Sequence, residues 1–289
     1  MFVSGFTIIR NGVTGGYPVT EAILSILPLV DEMIVAVGKS TDDTLGLIQS
    51  IDSTKIKIVE SVWDDTLREG GKVLAVETNK ALEHVSPKAD WCFYIQADEC
   101  VHEDDYDNIR SSMQKWLNDN SVQGLVFEYL HFYGSYDFLA DSRKWYRHEV
   151  RIIRNNPQIR SYMDAQGFRI ANQKLPAKKI NARIFHYGWV KHPKEQMSKQ
   201  IQARKLWHDD QFISEKVAVE QEFDYGKIDS IKRFTGSHPK VYHERIAKQN
   251  WVFDRDPNIT HLSLKNKILM KIEKLSGWRI GEFKNYKLV

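Results

Sequence analysis

A doubly wound α/β fold, with a mostly parallel sheet flanked by helices and a mainly helical segment after it, is what the pattern of this chain predicts. Three observations carry that expectation. Short apolar runs alternate with stretches of helical periodicity through roughly the first hundred residues. The run from Trp91 to Ile95 is apolar at every position, as in a strand buried on both faces. The segments between the runs are long enough for the crossovers that parallel neighbours need. With 289 residues, 42% of them hydrophobic, the chain can form one large domain with an extension, and a soft boundary near Trp189 divides 1–189 from 190–289.

The elements follow in order. Phe6 to Ile9 reads as the first strand and ends in Arg10-Asn11-Gly12 and the Gly15-Gly16 loop. Thr20 to Leu27 reads as a helix stopped by Pro28, and Met33 to Val37 as the second strand. Ser40 with Asp43 three residues later has the form of a helix-start box, followed by a helix carrying Leu45, Ile48 and Ile51. Ile56 to Val59 is the third strand. After Gly70-Gly71 a longer helix places Leu74, Thr78, Ala81, Leu82 and Val85 on one face, and Trp91 to Ile95 is the fourth strand. Glu103 to Asn118 reads as helix, Gly124 to Tyr133 as strand, and Gly134 to Glu149 as an aromatic and charged loop. Val150 to Arg154 and Ile180 to Tyr187 are further strands. Weakly periodic helices follow His192-Pro193, separated by Gly226, Gly236 and Pro239.

Composition narrows the function classes. Lys and Arg total 41 against 38 for Asp and Glu, a net +3 too small to indicate a nucleic-acid partner. The balance is uneven, with eleven basic and five acidic residues from Lys240 onward. No apolar run of membrane-spanning length and no secretory leader pattern stands out, so a cytoplasmic protein is expected, with Cys92 and Cys100 as reduced thiols. Gly38-Lys39-Ser40 after a strand invites a phosphate-loop reading, but Met33 stands where that motif needs its first glycine. The dinucleotide glycine fingerprint and the zinc-protease motif are also missing.

The fourth strand ends in Asp98 and Glu99, two acids at the edge where open α/β sheets bind ligands. Such acids suit a divalent cation and, through it, a phosphate; an ordinary strand ending in a polar turn is the other reading. Thr7-Ile8-Ile9-Arg10-Asn11, Val30-Asp31-Glu32-Met33-Ile34-Val35, Ser40-Thr41-Asp42-Asp43-Thr44 and Trp91 through Glu99 occur in an order and spacing that resembles family-2 glycosyltransferases of the GT-A fold. The resemblance spans about residues 1 to 190. It implies a GT-A-type (Rossmann-like) domain that transfers a sugar, with inversion, from a nucleotide-sugar donor to an acceptor hydroxyl, in bacterial surface-polysaccharide or lipopolysaccharide assembly.

The resemblance also implies roles for residues. Asp98 matches the last acid of the family's Asp-X-Asp motif and is expected to ligate Mn²⁺ or Mg²⁺, with Glu99 in support and His186, in Phe185-His186-Tyr187-Gly188-Trp189, as a further ligand. Asp164 matches the region of the catalytic base. Arg10 and Lys72 are expected to meet phosphate oxygens, and Thr7, Asn11 and Asn79 the nucleoside. Two departures matter: Val37-Gly38-Lys39-Ser40 replaces the family's Asp-Asp-Gly-Ser, and Gln96-Ala97-Asp98 replaces Asp-Ala-Asp. Gln96 can still hydrogen-bond a ribose or base, and Lys39 is expected to neutralise some diphosphate charge.

Leu264, Ile268, Ile272 and Leu275 share one helical face flanked by Lys267, Lys271 and Lys274, a pattern for docking on the rest of the chain or for peripheral contact with an anionic membrane carrying a lipid-linked acceptor. Two alternatives to the enzyme remain open. One is a catalytically silent nucleotide-sugar-binding or assembly protein. The other is a sugar-phosphate nucleotidyltransferase, whose arginine-bearing glycine loop Gly12 to Gly16 matches poorly.

Overall fold

The structure, a computed structural model, describes residues 1–207 and 222–289. Four parallel strands form the N-terminal half of the sheet: β1 (Val3–Ile9), β2 (Glu32–Gly38), β3 (Ile56–Ser61) and β4 (Trp91–Tyr94), in the order β3-β2-β1-β4. The crossovers carry α1 (Val19–Ile26), α2 (Thr44–Gln49) and α3 (Lys72–Glu83). All four strands lie where the apolar runs place them.

Alternation along β4 explains why that run has no polar position. Trp91, Phe93 and Ile95 join the core under α1 and α4 (Tyr106–Lys115), whereas Cys92 and Tyr94 join a second core that contains Ala81 and Leu82 of α3. Each face is covered, so a polar side chain on the strand would lose water without gaining a partner.

Beyond β4 the sheet continues with strands of both directions. β8 (His148–Arg154) pairs antiparallel with β4 and with β6 (Gly124–Tyr133), and β6 runs parallel to the 17-residue β11 (Gln173–Trp189). β7 (Ser135–Ala140) pairs with β6 inside the segment that the sequence reads as loop, and further strands lie where it reads none: β5 (Glu99–Val101) against β11, and the hairpin β9 (Ile159–Tyr162) with β10 (Gly167–Ile170). The helix-start box also differs. Asp42, not Ser40, accepts from the Thr44 amide at 3.1 Å, and Ser40 instead accepts from the Asn11 amide at 2.9 Å.

The segment after Trp189 lies against the first 189 residues. It holds α5 (Pro193–Lys205), α6 (His243–Ala247) and α7 (Leu264–Ser276), and it adds β12 (Ile231–Arg233) to β7 and β13 (Tyr286–Leu288) to β11. The part of the helical expectation that falls on 208–221 lies outside the described residues. No helix of the described residues is long and apolar enough to cross a membrane.

Candidate active site

The site is assembled by one short strand pairing. β5 and β11 run antiparallel with Glu99 opposite His186 and Cys100 opposite Phe185, and the Tyr187 amide donates to the Asp98 carbonyl at 2.8 Å. This register carries Asp98, just past β4, to His186 and Gly188 on a strand nearly ninety residues away. The His186 Nε2 atom stands 3.8 Å from Asp98 Oδ1. A side chain at position 188 would put its Cβ 2.7 Å from both Asp98 Oδ2 and His186 Nε2, so glycine leaves a cradle between a carboxylate and an imidazole.

Two lysines that sequence reasoning missed face this cradle. Lys199 of α5 donates to Asp98 Oδ2 at 2.9 Å and to the Gly188 carbonyl at 2.8 Å. Lys191 donates to the Gly16 carbonyl, and both ammonium groups lie over the Tyr17 ring, at 5.6 and 5.0 Å from its centre. Burial alone would raise the Asp98 carboxyl, but the Lys199 ammonium overcomes it and holds Asp98 well below the usual carboxylate range. Burial, with Lys199 alongside, brings Lys191 down to about 7.

Glu99 has a different task from the metal support expected of it. Its Oε1 accepts from Arg151 and from the Tyr129 hydroxyl, both at 2.7 Å, and its Oε2 accepts from Arg151 at 2.8 Å and the Gln96 amide at 3.0 Å. Four donors fill a carboxylate's lone pairs, leaving none for a cation. The Glu99–Arg151 pair is wholly buried. Breaking one partner of such a pair costs about 3–5 kcal/mol, because the other charge is left without compensation. Glu99 therefore locks the turn that presents Gln96 and Asp98.

A divalent cation fits the remaining donor set. Among the described residues no three His, Cys, Asp or Glu side chains converge on one point. Mg²⁺-type sites commonly take one or two protein ligands and complete their coordination with substrate phosphates and water, which suits Asp98 Oδ1 and His186 Nε2.

The other expected residues divide into those near the site and those spent on the fold. Gln96 Nε2 donates to the Ala165 carbonyl at 3.3 Å, which brings the Asp164 turn to the strand end that carries Asp98. Asp164 is half-buried beside Gly71 at the start of α3, and burial raises its carboxyl. Lys39 is exposed at the end of β2, with no side-chain bond among the described contacts. Arg10 forms a bidentate pair with Asp65 at 2.5 and 3.0 Å, and Lys72 pairs with Glu69 at 2.6 Å.

Thr7 and Asn79 do not present side chains for a nucleoside, and the carboxamide oxygen of Asn11 is already used. Thr7 is fully buried in β1. Asn11 has a left-handed backbone, φ 51°, and its carboxamide oxygen accepts from the Thr41 amide at 2.8 Å, tying the β1 and β2 loops together. Asn79 grips the Ser161 backbone through both its oxygen, at 2.7 Å, and its nitrogen, at 3.3 Å. Asp98 also lines a cavity of about 440 Å³ together with Lys191, Tyr136, Tyr242, Arg245 and Trp251.

No protein-family model matches the chain, and no curated protein matches it. Parts of the chain are similar to several solved structures. One is TarS from S. aureus, 14% identical with a TM-score of 0.38 over 70% of this chain, which spans 39% of the length of TarS. A shorter form, TarS 1-349 in complex with UDP, is 14% identical with a TM-score of 0.38, over 76% of this chain and 68% of that one. Glucosyl-3-phosphoglycerate synthase from Mycobacterium tuberculosis, in complex with Mn²⁺, UDP and glucosyl-3-phosphoglycerate, is 24% identical with a TM-score of 0.30, over 44% of each chain.

Proposed function

We propose that this chain is a glycosyltransferase that passes a sugar, with inversion, from a nucleotide-sugar donor to an acceptor hydroxyl in surface-glycan assembly. The observation that carries the reading is the Asp98–His186 cradle at Gly188, flanked by the Lys191 and Lys199 ammonium groups and set beyond the end of a parallel strand. A bound Mn²⁺ or Mg²⁺ ion supplies charge neutralisation for the departing diphosphate. Asp98 and His186 would hold it.

The chain's own groups do the rest. Lys199 keeps Asp98 ionised and, with Lys191, offers positive charge to phosphate oxygens. Gln96 hydrogen-bonds the donor in place of the acid that the resembled family carries there. Asp164 takes the proton of the attacking hydroxyl, and its raised carboxyl makes it a better base than an exposed aspartate. The cavity beside Asp98 receives the acceptor, with aromatic walls suited to a sugar ring. The apolar face of α7 rests on an anionic membrane.

Screening nucleotide sugars for thermal stabilisation, with and without Mn²⁺, identifies the donor, since a ligand bound only by the folded state raises Tm. Donor hydrolysis or transfer by the wild type is then expected to disappear in Asp98→Ala and in Asp164→Ala. Unaltered turnover in both variants would sink the site assignment. Binding without turnover is the second reading, and the glutamine at position 96 favours it; stabilisation by a donor in a wild type that shows no turnover would establish it.

A further inference from the structure

His131 is a residue that neither the motif pattern nor the proposed chemistry assigns, yet it touches the cradle through His186. It lies on β6 opposite His186 of β11, is 3% exposed, and packs edge-on against Tyr146 at 4.5 Å between ring centres. Its Nε2 meets the Tyr146 backbone carbonyl at 2.7 Å, and its Nδ1 meets His186 Nδ1 at 3.1 Å.

These two contacts determine where the ring protons sit. A carbonyl oxygen can only accept, so His131 Nε2 carries a hydrogen. A doubly protonated His131 would be a buried cation whose ring nitrogens meet a carbonyl and an imidazole, neither of them an anion, which is costly. His131 Nδ1 therefore holds a lone pair, and the short Nδ1 to Nδ1 contact needs its hydrogen from His186. With its hydrogen on Nδ1, the neutral His186 ring keeps a bare lone pair on Nε2. That lone pair faces Asp98 Oδ1 at 3.8 Å, while Lys199 is bonded to the other carboxylate oxygen. Two electron-rich atoms turned toward each other across the Gly188 cradle are complementary to a cation.

We infer that His131 is a positioning residue which, anchored by the Tyr146 carbonyl, fixes the tautomer of His186 so that Nε2 is presented as a ligand for a divalent cation. This rests on the metal-assisted reading above, and its two tests separate the failure of one from the failure of the other.

The first test needs no metal. Imidazole ¹⁵N spectra of the full-length wild type, with the His186 signals assigned by their loss in His186→Gln, should show His186 protonated on Nδ1 and bare on Nε2. Protonation on Nε2 overturns the inference whatever the metal behaviour. The second test measures Mn²⁺ affinity in the presence of UDP. His131→Phe should weaken it by about 10–100-fold, the usual effect of removing the partner that orients a metal-bound histidine. His131→Asn, whose amide oxygen can accept from His186, should recover most of the loss. Equal affinity in wild type and His131→Phe overturns the inference. A folded wild type that takes up no Mn²⁺ with UDP defeats the metal-assisted reading instead, and the ¹⁵N result then still decides the tautomer.

Discussion

Gly188 sets the spacing of the cradle between Asp98 and His186. A Cβ there would stand 2.7 Å from Asp98 Oδ2 and His186 Nε2, and both are ends of side chains. The backbone has room to tolerate alanine while the two atoms proposed to hold the cation do not. Gly188→Ala is therefore expected to leave Tm within a few degrees of wild type and to lower Mn²⁺-dependent turnover by about 10–100-fold, a loss of ligand placement similar to losing an orienting partner. Asp164 yields a second prediction. Burial raises its carboxyl above the ordinary aspartate value of 3.8, and a base works only when ionised. Activity should be present above that raised value and lost as the pH falls through it, so the acid limb of kcat/KM lies above 3.8. An acid limb at or below it would remove Asp164 from the role of base.

Among the elements, α7 combines two kinds of surface. Glu273 anchors it through Arg143 at 2.7 Å and Arg147 at 2.9 Å, while Leu264 is 75% exposed and Leu275 80%. Both alternatives raised by the sequence thus have a physical counterpart: charge holds the helix to the body of the protein, and an apolar row beside Lys267, Lys271 and Lys274 is left outward. Co-sedimentation with vesicles rich in anionic lipid is expected, and Leu264→Glu with Leu275→Glu should abolish it. Equal recovery with neutral and anionic vesicles would count against the charge contribution. β5 teaches a different lesson. Three residues cannot declare a strand by periodicity, because their extended conformation is imposed by β11, far along the chain. The same holds for β7 and the β9–β10 hairpin, whose mixed aromatic and polar residues form strands through tertiary pairing.

For the whole molecule, Glu149 links pH to stability. It is buried on β8, accepts from the Val150 amide at 2.9 Å and from Asn285 near the C-terminus at 3.3 Å, and burial raises its carboxyl to about 7. Below about 4.5 it is protonated in both the folded and the unfolded chain. Between there and about 7 the unfolded chain has released a proton that the folded chain keeps, so stability falls as the pH rises, and the penalty persists above 7. Glu149→Gln should raise stability at pH 8 by on the order of 1–3 kcal/mol and change it little near pH 4.5, as denaturant titrations at the two values would read. A variant less stable than wild type at pH 8 would refute this.

The parallel half of the sheet was legible because burial on both faces leaves continuous apolar runs such as Met33 to Val37 and Trp91 to Ile95. Asp98 stood out by its place in the ordered motifs, His186 and Asp164 through the family resemblance alone, and His131 left only a faint signal as a polar residue in the mostly apolar run of β6. Lys191, Lys199 and Gly188 acquire meaning only from the β5–β11 register and the docking of α5, neither of which local pattern encodes.

Lys199 on α5 has a practical corollary. It reaches back 101 positions to hold Asp98, Lys191 grips the Gly16 carbonyl, and Arg245 of α6 pairs with Glu21 of α1 at 2.5 Å. A sheet shortened at the end of β11 would keep Asp98 and Glu21 and lose the Lys199 and Arg245 charges that face them. The N-terminal half is therefore not a transplantable cassette, and chimeras that exchange specificity with another protein will need their crossover placed after α6, so that the stitching between the two ends travels intact.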